Sequence, residues 1–159
     1  MIILGLDPGL RNTGYGLIEK SGNSLKFITS GVIHSTDSLT LDKRLLELFN
    51  GVTEVIKKYN PNHIAIEETF VNVNPKSTLK LGQARGAVIL ASAYNGVDVF
   101  EYSPNLIKKT VVGVGHADKT QVQMMVKVLL PQSGKQTKDS ADALAIAICH
   151  AHTYNRKLL

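Results

Sequence analysis

This chain has no tryptophan, a single cysteine, few prolines and few aromatics, and each scarcity excludes something. With Cys149 as the one thiol, an intrachain disulfide framework is impossible, and a reducing, cytoplasmic setting is the expectation. Aromatics at 6% do not advertise a stacking platform for single strands. Five prolines beside 43% hydrophobic residues argue against disorder. No apolar run approaches the roughly 20 residues a bilayer span requires, so no membrane partner is expected. No basic segment precedes the apolar start at Met1, so a secretory signal is not expected either. A length of 159 residues fits one domain, 1–159, with a core of its own. Cys149 lies in an Ala/Ile-rich helical segment and reads as a small buried hydrophobe.

Charge is present in excess and unevenly placed. The net value is +5; residues 1–75 carry 7 basic and 8 acidic side chains, and residues 76–159 carry 11 and 5. A basic second half suits a polyanionic partner, or else serves solubility only.

The stretch that organises the rest is Met1-Ile2-Ile3-Leu4-Gly5-Leu6-Asp7, followed by Pro8-Gly9. A continuous apolar run reads as a strand buried on both faces, and Pro-Gly stops it. Asp7 therefore stands at a central strand's exit. It either caps the turn through its own side chain or belongs to a group of carboxylates that a cation neutralises. Two further strands, about 14–19 and 25–33, follow through short turns and predict an antiparallel meander. Gly14, Gly16 and Gly31 inside them imply a bulge or a close backbone approach. A helix is expected over 39–59, with Leu41, Leu45, Leu48, Val52, Val55 and Ile56 at helical spacing. His63-Ile64-Ala65-Ile66-Glu67-Glu68 then reads as a strand ending in acids. A strand-helix-strand order implies a right-handed crossover and parallel pairing, which carries Glu67 toward Asp7.

The remaining elements are a helix over 77–94 containing Gly82 and Gly86, a strand over 97–101, and a short helix opened by Ser103-Pro104 that ends before Val111. An amphipathic helix from about Asp118 to Leu130 and a final helix over 137–152 complete the chain. The pair Met124-Met125 reads as core filling. Lys76, Lys80 and Arg85 decorate the start of the glycine-bearing helix. In the final helix Asp139 and Asp142 are three apart and share a face with Ala143, Ile146 and Cys149, so both acids point toward the core. The competing role is capping of the helix N-terminus. Crowded carboxylates need a counter-charge, and all-oxygen ligands select a hard ion, Mg²⁺ or Mn²⁺. Two such ions roughly 3.5–4 Å apart are a standard device for phosphodiester hydrolysis.

Taken together, Ile3-Leu4-Gly5-Leu6-Asp7-Pro8-Gly9 with Thr13-Gly14-Tyr15-Gly16, Ala65-Ile66-Glu67, Leu79-Lys80-Leu81-Gly82-Gln83-Ala84-Arg85-Gly86, Lys109-Thr110-Val111-Val112-Gly113 and Ala141-Asp142-Ala143-Leu144-Ala145-Ile146-Ala147 resemble the RuvC family of Holliday-junction resolvases. The family has the ribonuclease H-like fold, and the resemblance spans essentially the whole chain. It implies an α/β architecture with a five-stranded mixed sheet, three strands antiparallel and two added in parallel, and helices on both faces. It also implies a homodimer that resolves four-way DNA junctions by paired symmetric nicks, leaving 5′-phosphate and 3′-hydroxyl ends. A branch-migration helicase complex would be a further partner. The metal-binding and catalytic carboxylates fall on Asp7, Glu67, Asp139 and Asp142, around two Mg²⁺ ions for which Mn²⁺ can substitute. Asp7 is expected to bridge the ions.

Phe70 matches an aromatic that stacks at the opened junction, unless it folds back on the core. Lys108 and Lys119 match basic residues that handle DNA, and Lys76 and Lys80 would hold phosphates beside them. Glu68 and His116 receive no role. The helix over 76–94 resembles the family's dimer interface. The alternatives are a ribonuclease H-like nuclease acting on RNA or RNA–DNA hybrids, and a non-catalytic junction-binding module.

Overall fold

The apolar run at Ile2–Asp7 (β1) is the middle strand of a five-stranded sheet. The computed structural model describes residues 1–68 and 74–154. Asn12–Ser21 (β2) and Ser24–His34 (β3) follow as an antiparallel meander, longer at both ends than the sequence suggested. After helix Leu41–Tyr59 (α1), His63–Glu67 (β4) returns parallel to β1. Pro75–Tyr94 (α2) then crosses to Asp98–Tyr102 (β5), parallel to β4. The spatial order β3-β2-β1-β4-β5 is the mixed sheet expected from the sequence.

Three helices complete the chain: Pro104–Val112 (α3), Lys119–Leu129 (α4) and Lys138–Thr153 (α5), with a short 3₁₀ turn at Pro131–Ser133. Their starts are chemically specified. Asn74 caps α2 ahead of Pro75, and Ser103 caps α3 ahead of Pro104. Asp118 and Gln121 form a reciprocal capping box on α4. α3 runs through Val111 and Val112, past the expected end, because its apolar stripe continues to buried Ile107 and Val111 and the left-handed Gly113 stops it.

Strand alternation sorts the core into two. Leu4, Leu6, Ile64 and Ile66 pack with Val52, Val55, Ile56, Val88 and Ala91 on the α1/α2 face. Ile3 and Ala65 face the other way, into a core built around α5 with α3 and α4 outside it. Cys149 is fully buried there, as expected, and burial pushes its thiol up to about 11. Met125 packs against this core, whereas Met124 is 62% exposed, so the pair does not fill the core together. Among the described residues no helix is long and apolar enough to cross a membrane.

Candidate active site

Period two along β1 places Ile3, Gly5 and Asp7 on the α5 face, and along β4 it places Ala65 and Glu67 there. The parallel register ends at Leu6↔Ile66, so Asp7 and Glu67 emerge side by side one position later. The turn after Asp7 is held by Thr13, whose hydroxyl donates to the Gly9 carbonyl at 3.0 Å and accepts from the Gly9 N–H. That relieves Asp7 of the capping role. Likewise the Thr137 hydroxyl accepts from the Ser140 N–H and caps α5, which relieves Asp139 and Asp142 of theirs.

Glycine decides how close α5 comes. Gly5 lies against the backbone of Ala143 and Ala147, and Gly14, the register partner of Asp7, lies against the backbone of Asp139. A Cβ at either glycine would sit nearer to the helix backbone than real Cβ atoms come. The helix N-terminus therefore rests directly on the strand exits, with its two acids next to Asp7.

The electrostatics report the result. Burial, then Asp142, Glu67 and Asp139 in that order, push the Asp7 carboxyl up to about 7, against a smaller opposing effect of Lys119. Burial and the neighbouring Asp142 raise Glu67, and burial raises Asp142. The Lys119 ammonium stands 3.7 Å from an Asp142 carboxylate oxygen. Lys119 is mostly exposed, so this pair contributes little to stability.

Asp7, Glu67, Glu68 and Asp142 line an open cleft of about 220 Å³ with Pro8, Leu81, Pro104 and Lys119. A smaller hollow of about 130 Å³ shares Glu67, Asp142 and Lys119 with it and adds Lys108. Lys76 and Lys80 are exposed on the first turns of α2, His116 is exposed outside the cleft wall, and Phe70 lies outside the described residues. Sequence reasoning gave Glu68 no role, although its place directly after Glu67 at the strand exit was the available signal. Arg85, in the sequence one of three basic residues near the start of the helix, is mostly buried, and its Nε donates to the Glu67 carbonyl oxygen at 3.3 Å.

Among the described residues, no three acids are drawn in tightly enough to make a finished metal cage. The donor chemistry still fits a hard divalent cation: the cleft offers carboxylate oxygens, and the most buried acid carries the largest unmet demand for positive charge.

Comparison with known proteins settles the family. The family profile described as "Crossover junction endodeoxyribonuclease RuvC" matches residues 3–150. The chain belongs to the RuvC family. It is 58% identical over 152 residues to the RuvC of Rhodospirillum rubrum, covering 96% of this chain and 90% of that one. To the RuvC of Afipia carboxidovorans it is 55% identical over 150 residues, covering 94% and 88%. The structure of Thermus thermophilus RuvC in complex with a Holliday junction substrate superposes with a TM-score of 0.90 at 32% identity, covering 99% of this chain and 96% of that one. Membership of the RuvC family carries its activity, divalent-metal-dependent endodeoxyribonuclease action at Holliday junctions.

Proposed function

We propose that residues 1–159 form a single RuvC-type nuclease domain that cuts four-way DNA junctions with Asp7, Glu67, Asp139 and Asp142 as its metal-holding carboxylates. The observation that carries this reading is the Asp7 carboxyl, half-buried at a strand exit beside Glu67, with Asp139 and Asp142 close enough to raise it. Two Mg²⁺ ions bound by these four residues, or Mn²⁺ in their place, would supply an activated water and neutralise charge at the leaving 3′-oxygen. Lys119 and Lys108 border the same acids, where their ammonium groups hold the scissile phosphate and its neighbour against the cleft. The exposed Lys76 and Lys80 extend the positive surface along the first turns of α2. Phosphate contacts of this kind orient the duplex without reading bases.

A homodimer fits the same reading. On α2, Leu79 and Leu90 are exposed and Gly82 and Gly86 have open space beside them, so this apolar, small-residue face is left uncovered by the described residues, apart from the Tyr94 ring at its end, which touches Phe49. Two copies joined there would present two identical clefts to a substrate of matching symmetry, giving paired nicks. A branch-migration helicase complex is a further partner under this proposal.

The test is a cleavage assay on a synthetic four-way junction with mapped cut sites, run in Mg²⁺ and in EDTA beside an RNA–DNA hybrid. Symmetric, ligatable nicks in the junction with Mg²⁺ alone are expected. Preferential cutting of the hybrid, or junction binding with no cutting, would overturn the proposal.

A further inference from the structure

We infer that Arg85 is a positioning residue for Glu67, fixing the end of β4 from the α2 side so that the Glu67 carboxylate is held toward the acid cluster. The inference rests on the metal-site reading above. Arg85 sits on α2 between buried Ala84 and Val88, and only 17% of its side chain is exposed. Its Nε donates to the Glu67 carbonyl oxygen, and its Nη2 makes an ion pair with the Glu101 carboxylate. Glu101 is the register partner of Ile66, so the guanidinium bridges adjacent parallel strands where both end. A planar fork serves the carbonyl and the carboxylate from two separate nitrogens in a fixed geometry, whereas an ammonium would have to reach both acceptors from a single nitrogen.

The consequence for Glu67 is geometric. Its side chain points to the α5 face while its carbonyl is tied on the α2 face, and the next residue is tied to β5 through the Glu68 N–H and the Tyr102 carbonyl at 2.9 Å. These two ties hold the peptide that sets the direction of the Glu67 Cα–Cβ bond. Loss of Arg85 frees that peptide from the α2 side, and with it the place at which the Glu67 carboxylate stands. Groups that orient metal-holding side chains from behind typically contribute about 10–100-fold to metal affinity or activity.

The test compares Arg85→Ala, Arg85→Lys and Glu101→Gln with wild type in three measurements: calorimetric Mn²⁺ binding without DNA, single-turnover junction cleavage against Mg²⁺ concentration, and junction affinity in EDTA. Arg85→Ala is expected to weaken Mn²⁺ binding and cleavage about 10–100-fold, with part of the rate restored by high Mg²⁺ and junction affinity in EDTA within about twofold of wild type. Arg85→Lys should fall between. Glu101→Gln should lose least, because the bond to the Glu67 carbonyl survives. A folded Arg85→Ala protein with Mn²⁺ affinity and cleavage within about twofold of wild type would overturn the inference. So would junction affinity falling in step with cleavage, which would make Arg85 a DNA contact. Should circular dichroism show Arg85→Ala unfolded, Arg85→Lys decides by the same criteria. Failure of the wild type itself to cut junctions would strike the functional proposal, while Mn²⁺ binding by the variants would still read this inference.

Discussion

α5 lies directly on Gly5, which makes Gly5→Ala a sharp perturbation. An added methyl would fall less than 3.0 Å from both the Ala143 carbonyl oxygen and the Ala147 amide nitrogen, and both are backbone, so no side chain can turn away. Relief requires α5 to retreat from β1 by on the order of 1 Å, at a cost of about 1–3 kcal/mol for overpacking. Asp139 and Asp142 ride on that helix, whereas Asp7 and Glu67 stay with the strands. A shift of about 1 Å between reacting groups lowers turnover by about 10²-fold. Junction affinity in EDTA should hold, because Lys76, Lys80, Lys108 and Lys119 keep their charge. Thermal melting would give the stability loss, and single-turnover cleavage of an end-labelled junction the rate. A variant that melts and cuts like wild type would refute the claim that this glycine sets the distance between the two pairs of acids.

Asp7→Asn should abolish cleavage and yet stabilise the metal-free protein at pH 8, because a carboxyl raised from 3.8 to about 7 costs at most about 4 kcal/mol when ionised. The same sign makes the metal-free wild type gain stability at this site as pH falls from about 7 toward 4; an unchanged or lowered Tm for the variant in EDTA at pH 8 would contradict it. His150 works in the opposite direction. It is fully buried, sharing hydrogen bonds with the Tyr102 hydroxyl at 2.7 Å and His63 Nδ1 at 3.0 Å. Burial, then His63 and Lys20, depress it from 6.5 to about 4, so its share of stability is full above pH 6.5 and is lost as pH falls toward 4, by about 3 kcal/mol. Melts of wild type and His150→Gln across that range should converge toward acid pH, and a constant gap would count against the assignment. Gly86→Ala should stabilise the subunit by about 1 kcal/mol, since its Cβ meets nothing within 4 Å and alanine favours helix. Gly86→Leu should weaken self-association in sedimentation experiments, and an unchanged dimer constant would remove this face from the interface.

Most elements, and the acids that were candidates, were legible in the order of residues alone. An apolar run ended by Pro8-Gly9, a crossover helix between two apolar strands, and acids on the apolar side of an alanine-rich helix are local patterns, and local patterns follow from backbone geometry. They were enough for the antiparallel meander, for the parallel strand that brings Glu67 beside Asp7, and for the inward face of Asp139 and Asp142; the place of β5 came with the family resemblance. Relations between residues far apart in the chain had to wait for the folded arrangement. That Gly5 and Gly14 set the depth of α5, that Thr13 and Thr137 release the aspartates from capping, and that Arg85 reaches the back of Glu67 depend on distances across the fold. The split of Met124 from Met125 has the same origin: two adjacent helical residues point about 100° apart. Which of them meets the core depends on how α4 is rotated against α5, and packing alone sets that rotation.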